Sequence, residues 1–281
     1  MQIYKSPTKL QKEITKLKKQ GKAIGFVPTM GALHQGHLSL IAKSKQKCDI
    51  TIASIFVNPT QFGKNEDLDK YPKPIKKDQE LLSNLDTNIL FLPNKNVIYP
   101  GSKETATEIL VPKLSNILCG NKRTNHFSGV VTIVCKLLNI TQPDYAFFGE
   151  KDFQQFVIIK KMAQDLFIPT KIISVKTTRE KSGLAMSSRN TYLSKENRKE
   201  AAKIYKALSL GVILFKNGET STSKIINEIQ NHLNKTKIET EYLKMVDPNT
   251  LNTKQKAKKK DRIIFAGKLG TTRLIDNIEL N

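Results

Sequence analysis

Short apolar segments alternate with amphipathic ones over the first 175 residues, and this alternation constrains the fold more than any other feature. Six segments have the length and the apolar, β-branched character of strands: 23–27, 50–57, 89–92, 106–111, 144–148 and 171–175. Helical periodicity predicts helices over 8–19, with Thr8 as its N-cap, and over 37–46, 74–84, 128–140 and 152–165. Strands and helices that alternate at this spacing predict an α/β fold, with a parallel sheet built from βαβ units and helices on its faces.

The pattern changes near the end of the second third of the chain. Two helical segments, 195–216 and 221–234, precede three strand-like segments at 240–247, 262–266 and 272–278. This order is typical of a smaller α+β unit. We therefore predict one domain over residues 1–175 and a second over residues 176–281.

The net charge of +22 raises the hypothesis of a nucleic-acid-binding protein. The lysines are spread over the whole length, however, and the densest run, 254–262, lies between two predicted strands without interleaved aromatic residues. A lysine-rich solvated surface accounts for this distribution, so no nucleic-acid partner is expected. The same charge would favour anionic small-molecule substrates.

Other bulk features favour a cytoplasmic protein with no membrane partner. No apolar run approaches the ~20 residues that a membrane-spanning helix needs, and residues 1–22 lack the apolar core of a signal peptide. The three cysteines, Cys48, Cys119 and Cys135, are widely spaced. We expect Cys135, which lies in an apolar helical segment, to be a buried free thiol.

Four polar, glycine-bearing loops follow predicted strands. They lie at 28–37, 58–63, 149–152 and 177–190. Ligands of parallel α/β sheets bind beyond the carboxyl ends of the strands. The sequence therefore predicts that these four loops contribute to one site.

The loop at 28–37 (Pro-Thr-Met-Gly-Ala-Leu-His-Gln-Gly-His) would present backbone amides and a helix N-terminus to an anion. Gly31 and Gly36 have the spacing of a P-loop, but His37 stands where that motif has its lysine. Two imidazoles, of His34 and His37, beside such a loop favour a different kind of phosphate chemistry. A metal pair is disfavoured because no Cys, Asp or Glu lies nearby, and a structural role as helix caps is the remaining alternative.

A nucleoside triphosphate needs cations and backbone amides around its phosphates. At the helix N-terminus, His37 could donate to an α-phosphate and stabilise charge as a pentavalent state forms, and His34 could serve the adjoining phosphates. Further donors for the outer phosphates are Lys151, Ser187, Ser188 and Arg189. Gln61 and Gln155 both donate and accept, which suits a hydroxy acid, and Asp152 is either a helix cap or a metal contact.

These residues carry a resemblance to a known family. The segment 34–37, His-Gln-Gly-His, resembles the HIGH-type motif of the nucleotidylyltransferase superfamily, and 186–189, Met-Ser-Ser-Arg, resembles its shortened KMSKS-type loop. More narrowly, four segments together resemble the pantoate–β-alanine ligase family (the pantothenate synthetases): 28–37, 54–62, 148–155 and 179–190. The similarity covers nearly the whole chain, including Arg123, 126–127 and 272–277.

The resemblance implies an ATP-dependent ligase. Pantoate would attack the α-phosphate of ATP to give pantoyl adenylate and pyrophosphate, and β-alanine would then displace AMP to give pantothenate. It also implies a Rossmann-like N-terminal domain, a smaller C-terminal lid domain and a homodimer. Mg²⁺ would be held mainly through the ATP phosphates rather than by a protein metal site, with Asp78 as a candidate outer contact.

The resemblance also implies site residues. The catalytic set would be His34, His37, Lys151 and Arg189. The pantoate pocket would contain Gln61, Gln155, Arg123 and His126, with Gln61 also contacting β-alanine. The ATP site would be lined by Met30, Gly31, Ala32, Leu33, His34, Gln35, Gly36, His37, Gly149, Glu150, Lys151, Asp152, Thr178, Met186, Ser187, Ser188 and Arg189.

The chain departs from the family's usual residues at three places. Thr178 replaces a usual Val and Met186 a usual Leu, both compatible with the wall of an adenine pocket. Thr124-Asn125 replaces the usual Pro-Gly before His126, which leaves the loop geometry there open. The alternative among enzymes is another HIGH-type adenylyltransferase that acts on a different acceptor and has no need of the paired glutamine loops.

Overall fold

The structure, a computed structural model, describes residues 1–63, 66–101 and 106–281. The chain forms two compact units. The first unit consists of Met1–Gly149 and Ile158–Val175, and the second unit consists of Glu150–Val157 and Lys176–Asn281.

A six-stranded parallel sheet forms the centre of the first unit. Its strands are β1 (Gln2–Tyr4), β2 (Ile24–Thr29), β3 (Ile50–Ile55), β4 (Ile89–Phe91), β5 (Tyr145–Gly149) and β6 (Lys171–Val175). The strand order is β1-β4-β3-β2-β5-β6, and every recorded pairing is parallel. The predicted α/β fold with a parallel sheet is confirmed.

The predicted helices of the first 175 residues are present, with ends shifted by one or two residues. They are α1 (Pro7–Lys19), α2 (Gln35–Lys47), α3 (Ile75–Asn84), α7 (His126–Thr141) and α8 (Phe153–Asp165). Three one-turn helices that the periodicity did not predict are α4 (Lys95–Ile98), α5 (Pro112–Ser115) and α6 (Cys119–Lys122). Four residues are too few to show a helical period, so such turns give little signal in a sequence.

The core of the first unit lies between the sheet and its helices. One cluster of buried side chains comprises Val27, Leu33, Leu40, Ile41, Ala53, Ile55, Leu82, Leu90 and Phe147. α7 is apolar on nearly every face and is buried along most of its length, as expected of a helix in the middle of a domain. The predicted buried free thiol of Cys135 is confirmed on this helix.

The second unit has the predicted α+β composition. A three-stranded antiparallel sheet consists of β7 (Glu239–Val246), β8 (Arg262–Leu269) and β9 (Thr272–Glu279), in that order. The helices that precede it are α9 (Lys195–Ala201), α10 (Lys203–Lys216) and α11 (Thr222–Leu233). Its core includes Leu208, Ile225, Ile229, Ile263 and Phe265.

Four details of the sequence-based prediction are wrong. The segment 106–111 is not a strand: Leu110 is 61% exposed, and the amide of Ile109 donates to the Thr132 hydroxyl instead of to a neighbouring strand. α1 is capped by Ser6, whose Oγ accepts from Lys9 N at 3.4 Å, because Pro7 suits the first helical position. The predicted helix over 195–216 is interrupted at Ala202, and β1, only three residues long, was missed.

In the parts of the chain that the structure describes, no helix has the length and apolar character needed to cross a membrane.

Candidate active site

The loop that carries both histidines follows β2, next to the topological switch point of the sheet. The chain passes from β2 to β3 on one side and from β5 to β6 on the other. Because the strands are parallel, β2, β3, β5 and β6 all end at the same edge. Ligands of open parallel sheets bind in the crevice at such a point.

The turn at residues 30–33 is tight, and Asp78 anchors it. Gly31 and Ala32 have φ values of +84° and +50°, in the left-handed region that is strained for alanine. The amides of Ala32 and Leu33 donate to the two carboxylate oxygens of Asp78, each at 2.8 Å. A Cβ at Gly31 would lie 3.0 Å from Asp78 Oδ2, so a side chain there would crowd the anchor.

Asp78 lies in the first turn of α3 and is completely buried. Burial raises the pKa of its carboxyl, while the amide hydrogen bonds from Leu33 and Ala32 act in the opposite direction. Both of its oxygens are used by the turn, so we assign Asp78 to the loop backbone instead of to an outer metal contact. Among the described residues, no three His, Cys, Asp or Glu side chains are grouped as metal ligands.

His34 and His37 cap the N-terminus of α2 reciprocally. Nδ1 of His34 accepts from the Gly36 amide at 3.1 Å, and Nδ1 of His37 accepts from the His34 amide at 3.3 Å. Their ring centroids are 4.1 Å apart. A ring nitrogen that accepts a hydrogen bond carries no proton, so each neutral imidazole has its proton on Nε2.

The cap and the phosphate hypothesis are therefore compatible. One nitrogen of each ring serves the helix, and the other is an N–H donor at the end of the helix that favours negative charge. The helix-capping role, which the sequence left open as the structural alternative, is present in the fold.

Gln61 lies in the 3₁₀ turn Pro59–Gln61 that follows β3, and its side chain is buried. Its Oε1 accepts from Asn58 Nδ2 at 3.2 Å, and its Nε2 lies 2.8 Å from the sulfur of Met30. Tyr99 donates its hydroxyl to Asn58 Oδ1 at 2.8 Å. The loops after β2 and β3 thus meet at Met30 and Gln61, and a buried polar network fixes the amide of Gln61.

The backbone of this turn rests directly on α7. Asn58 Nδ2 donates to the carbonyl of Gly129 at 3.0 Å, and a Cβ at Gly129 would lie 2.4 Å from the carbonyl oxygen of Thr60. No side chain fits between the two backbones.

Arg123 and His126 approach Gln61 from the start of α7. His126 Nδ1 donates to the carbonyl of Gln61 at 2.7 Å, and Arg123 Nη1 donates to His126 Nε2 at 2.7 Å. This pattern defines a neutral ring with its proton on Nδ1, the opposite of His34 and His37. Asn125 has φ of +63°, a left-handed conformation that asparagine tolerates.

Arg123 is itself neutralised by Glu66. Its Nε and Nη2 donate to the two oxygens of Glu66, each at 2.6 Å. Burial acts to raise the pKa of Glu66, but the hydrogen bonds and the charge of Arg123 outweigh it and hold that pKa below its ordinary value. The guanidinium is therefore committed to an ion pair beside the pocket.

The polar turn Glu150–Asp152 of the second unit precedes α8. The Lys151 side chain is largely buried, and its Nζ lies 4.0 Å from Asp152 Oδ1. Glu150 Oε2 accepts from Arg262 Nη2 at 3.1 Å. Gln155 follows in the first turn of α8 and is half-buried.

Residues 178–186 of the second unit form a hairpin-like loop. Arg179 and Ala185 pair across it as an antiparallel bridge, and the amide of Met186 donates to the carbonyl of Thr178 at 3.0 Å. Gly183 lies at its tip with φ of +91°.

The segment that continues from this loop carries the two serines and Arg189. Ser187 Oγ accepts from the Arg189 amide at 3.3 Å and caps the 3₁₀ turn Ser188–Tyr192. Asn190 is buried and donates to the carbonyl of Ala185 at 3.1 Å. The proposed ATP ligands from 178 to 189 are therefore on one segment with its own internal hydrogen bonds.

The sequence did not identify the residues that hold these loops. Asn58, Tyr99 and Glu66 were missed as supports of Gln61 and His126, and Arg262, Asp276 and Asn277 as supports of the second unit's loops. The one available signal was the polar pair Asp276-Asn277 between the apolar residues Ile275 and Ile278.

The sequence model of the family described as pantoate-beta-alanine ligase matches residues 2–279. A pantothenate synthetase from Sulfurihydrogenibium sp. is 46% identical over 281 residues, which cover 99% of this chain and 100% of the relative. Another, from Caldicellulosiruptor saccharolyticus, is 47% identical over 266 residues, which cover 94% of each chain.

Solved structures give the same result. Pantothenate synthetase from Thermus thermophilus matches with a TM-score of 0.94 and 36% identity, over 100% of this chain and 99% of that chain. The pantoate-beta-alanine ligase from Francisella tularensis, complexed with beta-gamma ATP and β-alanine, matches with a TM-score of 0.80 and 39% identity, over 99% and 97%.

Proposed function

The chain belongs to the pantoate–β-alanine ligase family, and from this premise we propose that it condenses pantoate with β-alanine in two steps that pass through pantoyl adenylate. The observation that carries this route is the pair of imidazoles at the N-terminus of α2. Their capping nitrogens fix the tautomer, so that both Nε2–H groups are donors beside a helix end.

In the first step, a carboxylate oxygen of pantoate attacks the α-phosphorus of ATP. A P–O bond forms to pantoate as the P–O bond to pyrophosphate breaks, and pyrophosphate leaves with the bonding electrons. Charge accumulates on the non-bridging oxygens, where Nε2–H of His37, Nε2–H of His34 and the first amides of α2 would donate. No covalent bond to the enzyme is needed.

In the second step, the amine of β-alanine attacks the carbonyl carbon of the mixed anhydride. The C–N bond forms as the C–O bond to AMP breaks, AMP leaves with the bonding electrons, and the proton lost by the amine passes to water. AMP is a far better leaving group than the oxide ion that a free carboxylate would have to expel. Holding the two reactants in contact would supply much of the rate.

Gln61 is the proposed contact for pantoate and β-alanine. Its amide is neutral and buried, and Asn58 and Met30 fix its orientation. Because Arg123 is paired with Glu66, we assign Arg123 and His126 to the support of the pocket at the Gln61 carbonyl. Gln155 is proposed as a further pantoate contact on family grounds.

The remaining ATP ligands are proposed on family grounds. Lys151, Arg189 and the two serines at 187–188 would bind phosphate oxygens, while Thr178 and Met186 would contact adenine. Mg²⁺ would be bound chiefly through the phosphates and would neutralise their charge. The half-exposed carboxylate of Asp152 is a hard oxygen donor of the kind that such an ion takes.

Family membership also supports a cytoplasmic homodimer, and the free cysteines fit a reducing compartment. The role of residues 176–281 as a lid stays a prediction.

The test is product analysis with ATP, Mg²⁺ and pantoate, with and without β-alanine. We expect sustained AMP release and pantothenate formation only when both acids are present. Pyrophosphate release without sustained AMP formation, or turnover only with another acceptor, would identify a different adenylyltransferase. A folded protein with no turnover would contradict the proposal.

A further inference from the structure

Two consecutive residues of β9, Asp276 and Asn277, connect the strand to both polar segments of the second unit. Each side chain is only 4% exposed. Asn277 Nδ2 donates to the carbonyl of Glu150 at 2.8 Å and to the carbonyl of Lys151 at 3.0 Å. One side-chain amide therefore holds the carbonyl groups that precede and follow the Cα atom of Lys151.

The orientation of the Asn277 amide is set by Arg262. Oδ1 of Asn277 accepts from Arg262 Nη1 at 2.7 Å. Because a guanidinium only donates, the amide oxygen of Asn277 must face Arg262, and its NH₂ group must face the two carbonyls. Arg262 is 5% exposed and stacks on Phe153 with its guanidinium carbon 3.9 Å from the ring centroid. Its Nη2 also donates to Glu150 Oε2.

Asp276 makes the second connection. Its oxygens accept from Arg179 Nη1 and Nη2 at 2.7 Å and 2.9 Å, a bidentate pair. Arg179 also donates to the carbonyl of Gly183 at 3.1 Å and lies over the ring of Tyr205. Asp276 thereby fixes the base of the 178–186 loop, which leads into residues 187–189.

We propose that Asp276 and Asn277 are positioning residues for ATP. They contact no reacting atom themselves. They hold the turn that carries Lys151 and the loop that leads to Arg189, so that both cations keep their places before the nucleotide arrives. This inference rests on the proposed function, which assigns those two cations to the phosphates of ATP.

Preorganisation explains why such a pair would affect binding of ATP more than binding of pantoate. A phosphate contact that forms only after its loop is ordered has to offset the entropy of ordering. Because both loops are hydrogen-bonded to one strand, they are already ordered in the folded protein, and ATP binding does not have to offset that entropy.

Asn277→Asp is the most informative variant. It keeps the volume and the acceptor that faces Arg262, but it places a carboxylate oxygen against two carbonyls. We expect the dissociation constant for Mg²⁺-ATP, titrated without pantoate, to rise about tenfold, and the KM for pantoate to change less than about threefold.

Asp276→Asn is the second variant. It keeps one acceptor for Arg179 and replaces the other by a donor, so ATP binding should weaken in the same selective way. The matched control is Glu241→Gln, which breaks the ion pair of Glu241 with Arg273, another β9 residue, at 2.9 Å. We expect the control to bind ATP like the wild type.

Wild-type ATP affinity in folded Asn277→Asp and Asp276→Asn would overturn the proposal. A similar loss of ATP affinity, pantoate use and melting temperature in all three variants would also overturn it, because it would indicate a general role in folding. If the wild type binds ATP but forms no pantothenate, the proposed function fails, while the ratio of ATP affinities still decides the positioning role.

Discussion

The carboxylate of Asp78 accepts a hydrogen bond from the backbone amide of Leu33 at 2.8 Å, across 45 positions of sequence. Its second oxygen accepts from Ala32. One buried side chain thus holds the turn that precedes both histidines.

Replacing this anchor should reduce activity. Asp78→Asn puts an NH₂ group against one of the two amide donors, so the turn has to shift. We expect kcat/KM to fall by about tenfold to a hundredfold, the scale on which small misplacements of a site act. Steady-state kinetics check this, with the exposed Asp86→Asn as the control for lost charge; equal kinetics of the two variants would remove Asp78 from the site.

His37→Ala should separate the donor from the cap. Removal of one transition-state donor lowers turnover about a hundredfold or more, while loss of a helix cap costs about 1 kcal/mol in the free energy of unfolding. The control is Ser44→Ala, farther along α2, which loses a buried hydrogen bond to Thr51 of β3. It should lose comparable stability and keep its turnover; if both variants retain near-normal turnover, His37 takes no part in the chemistry.

Gln61→Ala tests the pantoate pocket. We expect the KM for pantoate to rise about tenfold or more, since a buried amide fixed by Asn58 is lost, with little change in the KM for ATP. Kinetics with each substrate varied in turn make the comparison, beside Gln164→Ala on the exposed side of α8. An equal loss for both substrates would indicate a packing defect.

The Glu66–Arg123 pair should make stability depend on pH. The pKa of Glu66 is lowered in the folded state, so its contribution is present above the pKa of the unfolded chain and is lost as the pH falls through the folded pKa. Glu66→Gln should therefore destabilise the protein by about 1–3 kcal/mol near pH 7. The difference from the wild type should shrink in acid, as measured by denaturant unfolding; a constant difference would contradict the assignment.

Phe167 offers a stabilising substitution. It follows α8 with φ of +51° and a side chain that is 91% exposed. Phe167→Asn should raise the free energy of unfolding by about 1 kcal/mol, because asparagine accepts the left-handed conformation better. Phe167→Ala removes the aromatic ring but keeps the backbone strain, so it should give no such gain; equal gains would point to the exposed ring instead.

The sequence predicted those elements whose pattern repeats. α2 and α7 are long enough to show a period, and β2, β3, β5 and β6 are apolar runs that end in glycine-bearing or polar loops. Because parallel strands end at one edge, the loop order was enough to place His34 and Gln61 at neighbouring strand ends. The false strand at 106–111 had the right composition, but a strand also needs a partner, which composition does not encode.

The supporting residues escaped prediction for a related reason. Asp78 reads as an ordinary acidic residue in the first turn of a helix, and only the fold brings it to the amides of the turn at 30–33. Asn277 lies more than a hundred positions from Lys151. A polar side chain that binds backbone groups far away in the sequence produces no recognisable motif around its own position.

Gly129 shows what a missing side chain can determine. The main chain of α7 touches the main chain at Thr60 directly. This contact next to Gln61 therefore cannot relax by a change of side-chain rotamer. A Cβ at residue 129 would push the turn at residues 59–61 away from α7. Under the proposed function, Gly129 would therefore set the position of Gln61 beside pantoate through main-chain contact alone.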